Sequence, residues 1–186
     1  MKPPSEVIFV KVGNGRLALY HRPGRGMFAH LRKLGCTHVV TLLKESEGAE
    51  RIGGLAQAAG LEWIWLPVPN GNHPEGEVHD RMIQSLPQLS GLLDEGKSLL
   101  IHCSAGVHRT GTLAYGLLCW RGLGEKQALE IIRRTRPETA EGMGTKRMRW
   151  GNENAHAVRS WKPAWLEVIQ RRIQNIFGMR KGRINS

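Results

Sequence analysis

The chain has 186 residues, and 27 Lys and Arg against 16 Asp and Glu give it a formal net charge of +11. That length supports one domain with a substantial core rather than two, and the charge favours acidic partners such as phosphates, nucleic acid or anionic lipid over cationic ones. Three cysteines exclude a disulfide framework and point to a reducing, cytoplasmic compartment. Two prolines and a glutamate in MKPPSEVIFVKV interrupt the apolar stretch that a secretory signal requires. No apolar run approaches the ~18 residues of a membrane span, so a soluble protein without a membrane partner is expected.

In chain order, EVIFVKV and RLALYH read as short strands around the turn GNG, and GMFAHLRKLG as a helix stopped by Gly35. THVVTLL is a continuous apolar strand of the kind buried on both faces. GAERIGGLAQAAG carries helical spacing up to Gly60, and LEWIWLPV is extended again. NGNHPEGEV is rich in turn formers and reads as loop, and HDRMIQSLPQLSGLLDEG as a helix in which Pro87 kinks or shortens one turn. KSLLIHC is the last buried strand. The helices TGTLAYGLLCWRG and EKQALEIIRRTRP follow, the second ended by Pro137. Residues 138–160 lack clean periodicity and read as loop. PAWLEVIQRRIQNIF forms an amphipathic closing helix with Trp165, Ile169, Ile173 and Phe177 on one stripe. The pattern predicts an α/β fold, a mostly parallel central sheet flanked by helices on both faces. The expected organisation is a single domain over 1–160, the helix at 161–178 and a basic tail at 179–186.

The chemistry concentrates in LLIHCSAGVHRTGTLAYGLL, residues 99–118. The strand delivers Cys103 to the carboxyl edge of the sheet, where open α/β folds place ligand sites, and a helix starting near Thr110 points its N-terminus there. The loop Ser104, Ala105, Gly106, Val107, His108 is short enough for its amides to turn inward as an anion cradle. Arg109 adds a planar two-pronged cation that suits two phosphate oxygens better than Lys does. The same field favours a thiolate: a free cysteine titrates near ~8.5, and helix N-termini with cations lower such groups to roughly 3.5–7.5. An exposed, ionised Cys103 under a phosphate cradle is a nucleophile aimed at phosphorus.

HCSAGVHRTGT resembles the His-Cys, five residues, Arg-Thr/Ser-Gly signature of the cysteine-dependent protein tyrosine phosphatase superfamily. It is close to the tyrosine-specific HCSAGVGRTGT and differs at His108, while the short chain, LRKLGCTHVVTLL and LEWIWLPV resemble the dual-specificity branch over roughly residues 7–137. The resemblance implies Cys103 as nucleophile, and Arg109 with the loop amides as phosphate ligands. It makes Thr110 the partner of the thiolate, His102 a residue that holds the loop, and no cofactor necessary.

One part departs from that pattern. The superfamily carries a general acid, usually Asp, on a loop some thirty residues before the cysteine, and Asn70 in PVPNG stands there. Asn cannot give a proton to a leaving alkoxide, a loss of 10²- to 10⁴-fold or about 3–5 kcal/mol. Three readings follow. His73, Glu75, Glu77 or Asp80 substitutes, and the enzyme hydrolyses ordinary phosphate esters, as dual-specificity phosphatases do on phosphorylated proteins. Alternatively the substrate is a polyanionic phosphoanhydride, such as the RNA 5'-triphosphate or inositol pyrophosphate of other superfamily branches; phosphate, with a second pKa near ~6, departs unaided, and RNA is then a candidate partner. In the third, the domain is a weakly active phospho-ligand-binding module.

His108 reads equally as a switchable charge or a structural contact. Lys146, Arg147 and Arg149 read as a solvated basic loop with a possible second role as an anion contact. HPEGEVHD matches no strong metal-ligand spacing, so no metal is expected. Trp63 and Trp65, Cys36 and Cys119 are expected in the core.

Overall fold

The computed structural model describes residues 6–70 and 74–159, with side chains given up to Asn154. The elements are β1 (Val10–Val12), β2 (Gly15–Tyr20), α1 (Met27–Lys33), β3 (His38–Thr41), a 3₁₀ turn (Glu45–Glu47), α2 (Ala49–Ala58), β4 (Glu62–Trp65), α3 (Gly76–Asp94), β5 (Ser98–His102), α4 (His108–Trp120), α5 (Glu125–Thr135), α6 (Pro137–Glu141) and α7 (Thr145–Arg159). The expected closing helix at 161–178 and the tail lie outside the described residues.

The strand order is β1-β2-β5-β3-β4. Only the β1–β2 pair is antiparallel; the others are parallel, as strands joined by helical crossovers must be. Alternate side chains on the strands point to opposite faces and define two cores. Ala18, Tyr20, Val39 and Leu100 pack with Phe28 and Leu31 of α1 and Ile52 and Ala56 of α2. Leu17, Leu19, Val40, Leu99 and Ile101 pack with α3, α4, α5 and Trp150 of α7. This is the predicted α/β architecture with helices on both faces. β5 is central and buried along its whole length. α4 behind it is buried almost all round, which its near-continuous apolar sequence dictates.

Four expectations need correction. Residues 138–159 are mostly helix rather than loop: Pro137 ends α5 but also opens α6 as its first residue, where its missing N–H is harmless. α7 then lies along α4, because Gly116 and Gly151 leave room for aromatic neighbours. A Cβ at Gly116 would stand 2.5 Å from the Trp150 ring, and Tyr115 Oη donates to Asn152 Oδ1 at 2.9 Å. Secondly, α3 starts at Gly76, so Glu77 and Val78 are helical, and the helix continues through Pro87. Thirdly, α4 starts at His108 rather than Thr110. Lastly, Trp65 is 36% exposed, since β4 is an edge strand; it stacks on half-buried Trp63 with ring centres 5.6 Å apart.

Candidate active site

Parallel pairing puts Tyr20, His102 and Thr41 side by side at the carboxyl edge of the sheet, with Trp65 paired to Thr41. Cys103 follows immediately, and the chain must turn at once into α4. Gly106 makes the turn possible: its φ is +72°, and a Cβ there would collide with the carbonyl of Tyr20. The loop therefore lies directly against the end of β2, where Arg22 N–H donates to the Ser104 carbonyl at 3.0 Å.

Cys103 is 3% exposed, not the exposed thiol the sequence predicts, because it forms the floor of a loop whose outer residues Ser104 and Ala105 are exposed. Burial alone pushes its pKa up. That is outweighed by the Thr110 hydroxyl, the Thr110 and Gly106 N–H groups and the Arg109 charge, so the thiol titrates below its ordinary value. The Gly106 N–H stands 3.2 Å from the sulfur. Thr110 Oγ1 is buried with no hydrogen-bond partner among the described residues, and its effect on the Cys103 sulfur is to lower the thiol's pKa. The other two cysteines behave oppositely: burial lifts Cys36 to about 11 and also raises Cys119.

Arg109 is fixed by groups from three distant segments. Nη1 donates to Glu47 Oε2 at 2.7 Å and Nη2 to Glu47 Oε1 at 2.9 Å, a two-pronged pair. Nη1 also donates to the carbonyls of Leu42 at 3.3 Å and Val68 at 3.0 Å. Burial opposes its charge, but Glu47 and the Cys103 sulfur more than compensate and hold it cationic. The hydrogen bonds from Arg109 draw Glu47 below the usual carboxylate range.

His102 is fully buried, and burial lowers its pKa to about 4, so the ring is neutral at physiological pH. Trp63 Nε1–H donates to Thr41 Oγ1 at 2.9 Å, and the Thr41 hydroxyl meets His102 Nε2 at 2.9 Å. Trp63 can only donate, so Thr41 has its proton free for Nε2. His102 then carries its proton on Nδ1, which faces the Cys103 carbonyl at 3.3 Å. The far side of the loop is held from α6: Thr139 Oγ1 donates to the Gly106 carbonyl at 2.6 Å and Arg136 Nη2 to the Ala105 carbonyl at 3.3 Å.

Sequence reasoning missed Glu47, Thr41, Thr139 and Arg136. A Glu bracketed by polar residues in KESEG carries no local mark of pairing with an arginine sixty-two positions away.

His108 is exposed at the first turn of α4, and partial burial and the nearby charge of Arg147 lower its pKa, which works against a permanent charge there. Val68, Pro74, Met82, His108, Arg109, Thr112 and Arg147 line a small depression beside the loop. Arg147 thus reaches the site from α7, not from a basic loop. Asn70 is exposed, two residues beyond the Val68 carbonyl that Arg109 binds. Glu75 caps α3, and Glu77 and Asp80 lie in its first turns. Among the described residues none of the three bonds to the loop, and His73 is not described. No three His, Cys, Asp or Glu side chains converge as a metal site among the described residues.

A depressed thiol pKa has a direct readout. The rate of alkylation of Cys103 by iodoacetate should rise with pH through a midpoint clearly below that of a free cysteine, because the thiolate is the reacting species. Thr110→Val should move that midpoint upward, and inorganic phosphate should protect the thiol. A midpoint at the ordinary value contradicts the arrangement described above. His102, titrating near 4, adds no inflection between pH 5 and 9.

A cysteine with lowered pKa, an adjacent clamped arginine and a strand-loop-helix turn in an α/β sheet define the cysteine-dependent phosphatase class with the dual-specificity architecture. The chain belongs to the family described as PTP-SAK, Swiss Army Knife protein, DSP-PTPase phosphatase domain, whose model matches residues 7–164. It is 30% identical over 117 residues to dual specificity protein phosphatase 12 of Mus musculus, covering 62% of this chain and 32% of that protein. The chain spans a third or less of the length of the curated relatives it matches. Among solved structures, a kinase-associated phosphatase with its catalytic-site cysteine replaced by serine superposes with a TM-score of 0.71 at 17% identity, over 87% of this chain and 100% of that one. The active form of Tk-PTP gives a TM-score of 0.64 at 26% identity, over 84% and 99%. Among the described residues no helix is long and apolar enough to cross a membrane.

Proposed function

We propose that the protein hydrolyses phosphate monoesters in two displacements through a phosphocysteine. The observation that carries this reading is Cys103, its pKa depressed despite burial, beside an arginine held in place by Glu47 and two carbonyls. In the first step the thiolate attacks phosphorus, the S–P bond forms, and the P–O bond breaks with its electron pair on the leaving oxygen. Arg109 and the amides of the loop from Ser104 to Arg109 neutralise the charge on the non-bridging oxygens. In the second step water attacks phosphorus, the P–S bond breaks, and the thiolate leaves under the Thr110 hydroxyl, with the water's proton passing to the product phosphate or solvent. His102 positions the loop through the Cys103 carbonyl.

Asn70 favours a second reading. It stands on the segment tied to Arg109 and cannot give up a proton, so a leaving group that needs none is the alternative. A phosphoanhydride such as an RNA 5'-triphosphate or an inositol pyrophosphate provides one. Turnover on p-nitrophenyl phosphate, pyrophosphate and triphosphate-ended RNA separates the two, and phosphate binding without turnover on any of them identifies a binding module. Asn70→Asp should raise turnover of aryl phosphates by about tenfold or more, because it supplies general acid catalysis. An unchanged rate assigns proton donation to another residue.

A further inference from the structure

A second cavity opens at the same edge of the sheet, on the α1 and α2 side of the loop. It measures about 240 Å³ and is lined by Arg22, Pro23, Gly24, Arg25, Glu47, Gly48, Arg51, Ile52 and Leu55. Three arginines from two segments, the β2–α1 connection and the first turn of α2, converge on it. Each is exposed, and none forms an ion pair with a described residue. The one carboxylate in the wall is spent: both oxygens of Glu47 bind Arg109, and Oε2 also accepts the Lys44 N–H at 2.9 Å. Three unneutralised cations around one hollow repel each other, and an anion between them relieves that repulsion.

The cavity shares walls with the phosphate loop. Glu47 lines it and grips Arg109, while the Arg22 N–H holds the Ser104 carbonyl. We infer that this hollow binds a second phosphate group of the substrate, so that the substrate is a small molecule carrying at least two phosphates. The inference rests on the phosphatase reading for the first phosphate. Its geometry speaks against a nucleic-acid strand, which needs a basic groove tracking several nucleotides with bases stacked on aromatic rings. Here the cations surround one pocket, and its apolar walls are Pro23, Ile52 and Leu55.

The test uses the full chain carrying Cys103→Ser, titrated calorimetrically with inorganic phosphate and with myo-inositol hexakisphosphate. Adding Arg25→Ala and Arg51→Ala should weaken the hexakisphosphate by about tenfold or more and phosphate by less than about threefold. Arg51→Glu should weaken the hexakisphosphate further still, and its phosphate affinity reports whether the fold is intact. Equal losses for both probes, or an unchanged hexakisphosphate affinity, overturn the second site. A greater loss for a 5'-triphosphate oligonucleotide than for the hexakisphosphate overturns the small-molecule assignment in favour of RNA. The phosphatase reading fails separately, if the protein with its native Cys103 hydrolyses none of p-nitrophenyl phosphate, pyrophosphate and triphosphate-ended RNA.

Discussion

Cys103→Ser should abolish turnover, by about 10⁴-fold or more, while inorganic phosphate still binds. A serine hydroxyl in the same place stays protonated, because the hydroxyl and N–H groups of Thr110 and Gly106 that depress a thiol near 9 act on a group whose ordinary pKa is far higher. The loop amides and Arg109 are untouched, so the anion site persists without its nucleophile. Single-turnover kinetics on p-nitrophenyl phosphate and calorimetry with phosphate read the two halves separately. Full activity in the variant removes Cys103 from the reaction, and loss of both binding and turnover shows that the substitution has collapsed the loop.

Arg109→Lys should lower kcat by about 10²- to 10³-fold, the scale of removing a donor aimed at developing charge. Charge is retained, so the loss isolates geometry. In the native site the guanidinium spans Glu47, two backbone carbonyls and the sulfur at once. An ammonium on a flexible stem has three donors and no plane, and it cannot hold Glu47 with two parallel bonds while also facing Cys103. The Leu42 and Val68 carbonyls then compete with substrate for the remaining donors. A rate within threefold of the native one, measured with the same aryl phosphate, would reject the two-pronged role.

The part of the site that could be read from the sequence is the part encoded contiguously. Residues 99–118 give a strand, a turn and a helix in one stretch, marked by the apolar run, Gly106 and Arg109. The sheet was legible for the same reason: THVVTLL and KSLLIHC have the unbroken apolar character of strands buried on both faces. What escaped is held by long-range contacts. Glu47 and Thr41 lie in unremarkable segments and acquire meaning only when parallel pairing sets β3 against β5. α7 is hidden because KRMRWGNENAH is mostly polar, and the fully buried ring of Trp150 packs it on α4. The small residues that admit that ring, Gly116 and Gly151, look in sequence like breaks in a helix rather than a seat for another one. The exposure of Trp65 is not legible because hydrophobicity does not say which strand ends the sheet.

The loop's supports come from four different parts of the chain: Glu47 before α2, Thr41 on β3, Arg22 after β2 and Thr139 on α6. Moving the signature peptide alone into another host protein would therefore transplant a shape without its scaffolding. The arginine would find ordinary water in place of a carboxylate, and the cysteine would revert toward an unremarkable laboratory thiol. The depressed pKa of Cys103 belongs to the whole tertiary arrangement, and the twenty-residue stretch is only where it surfaces.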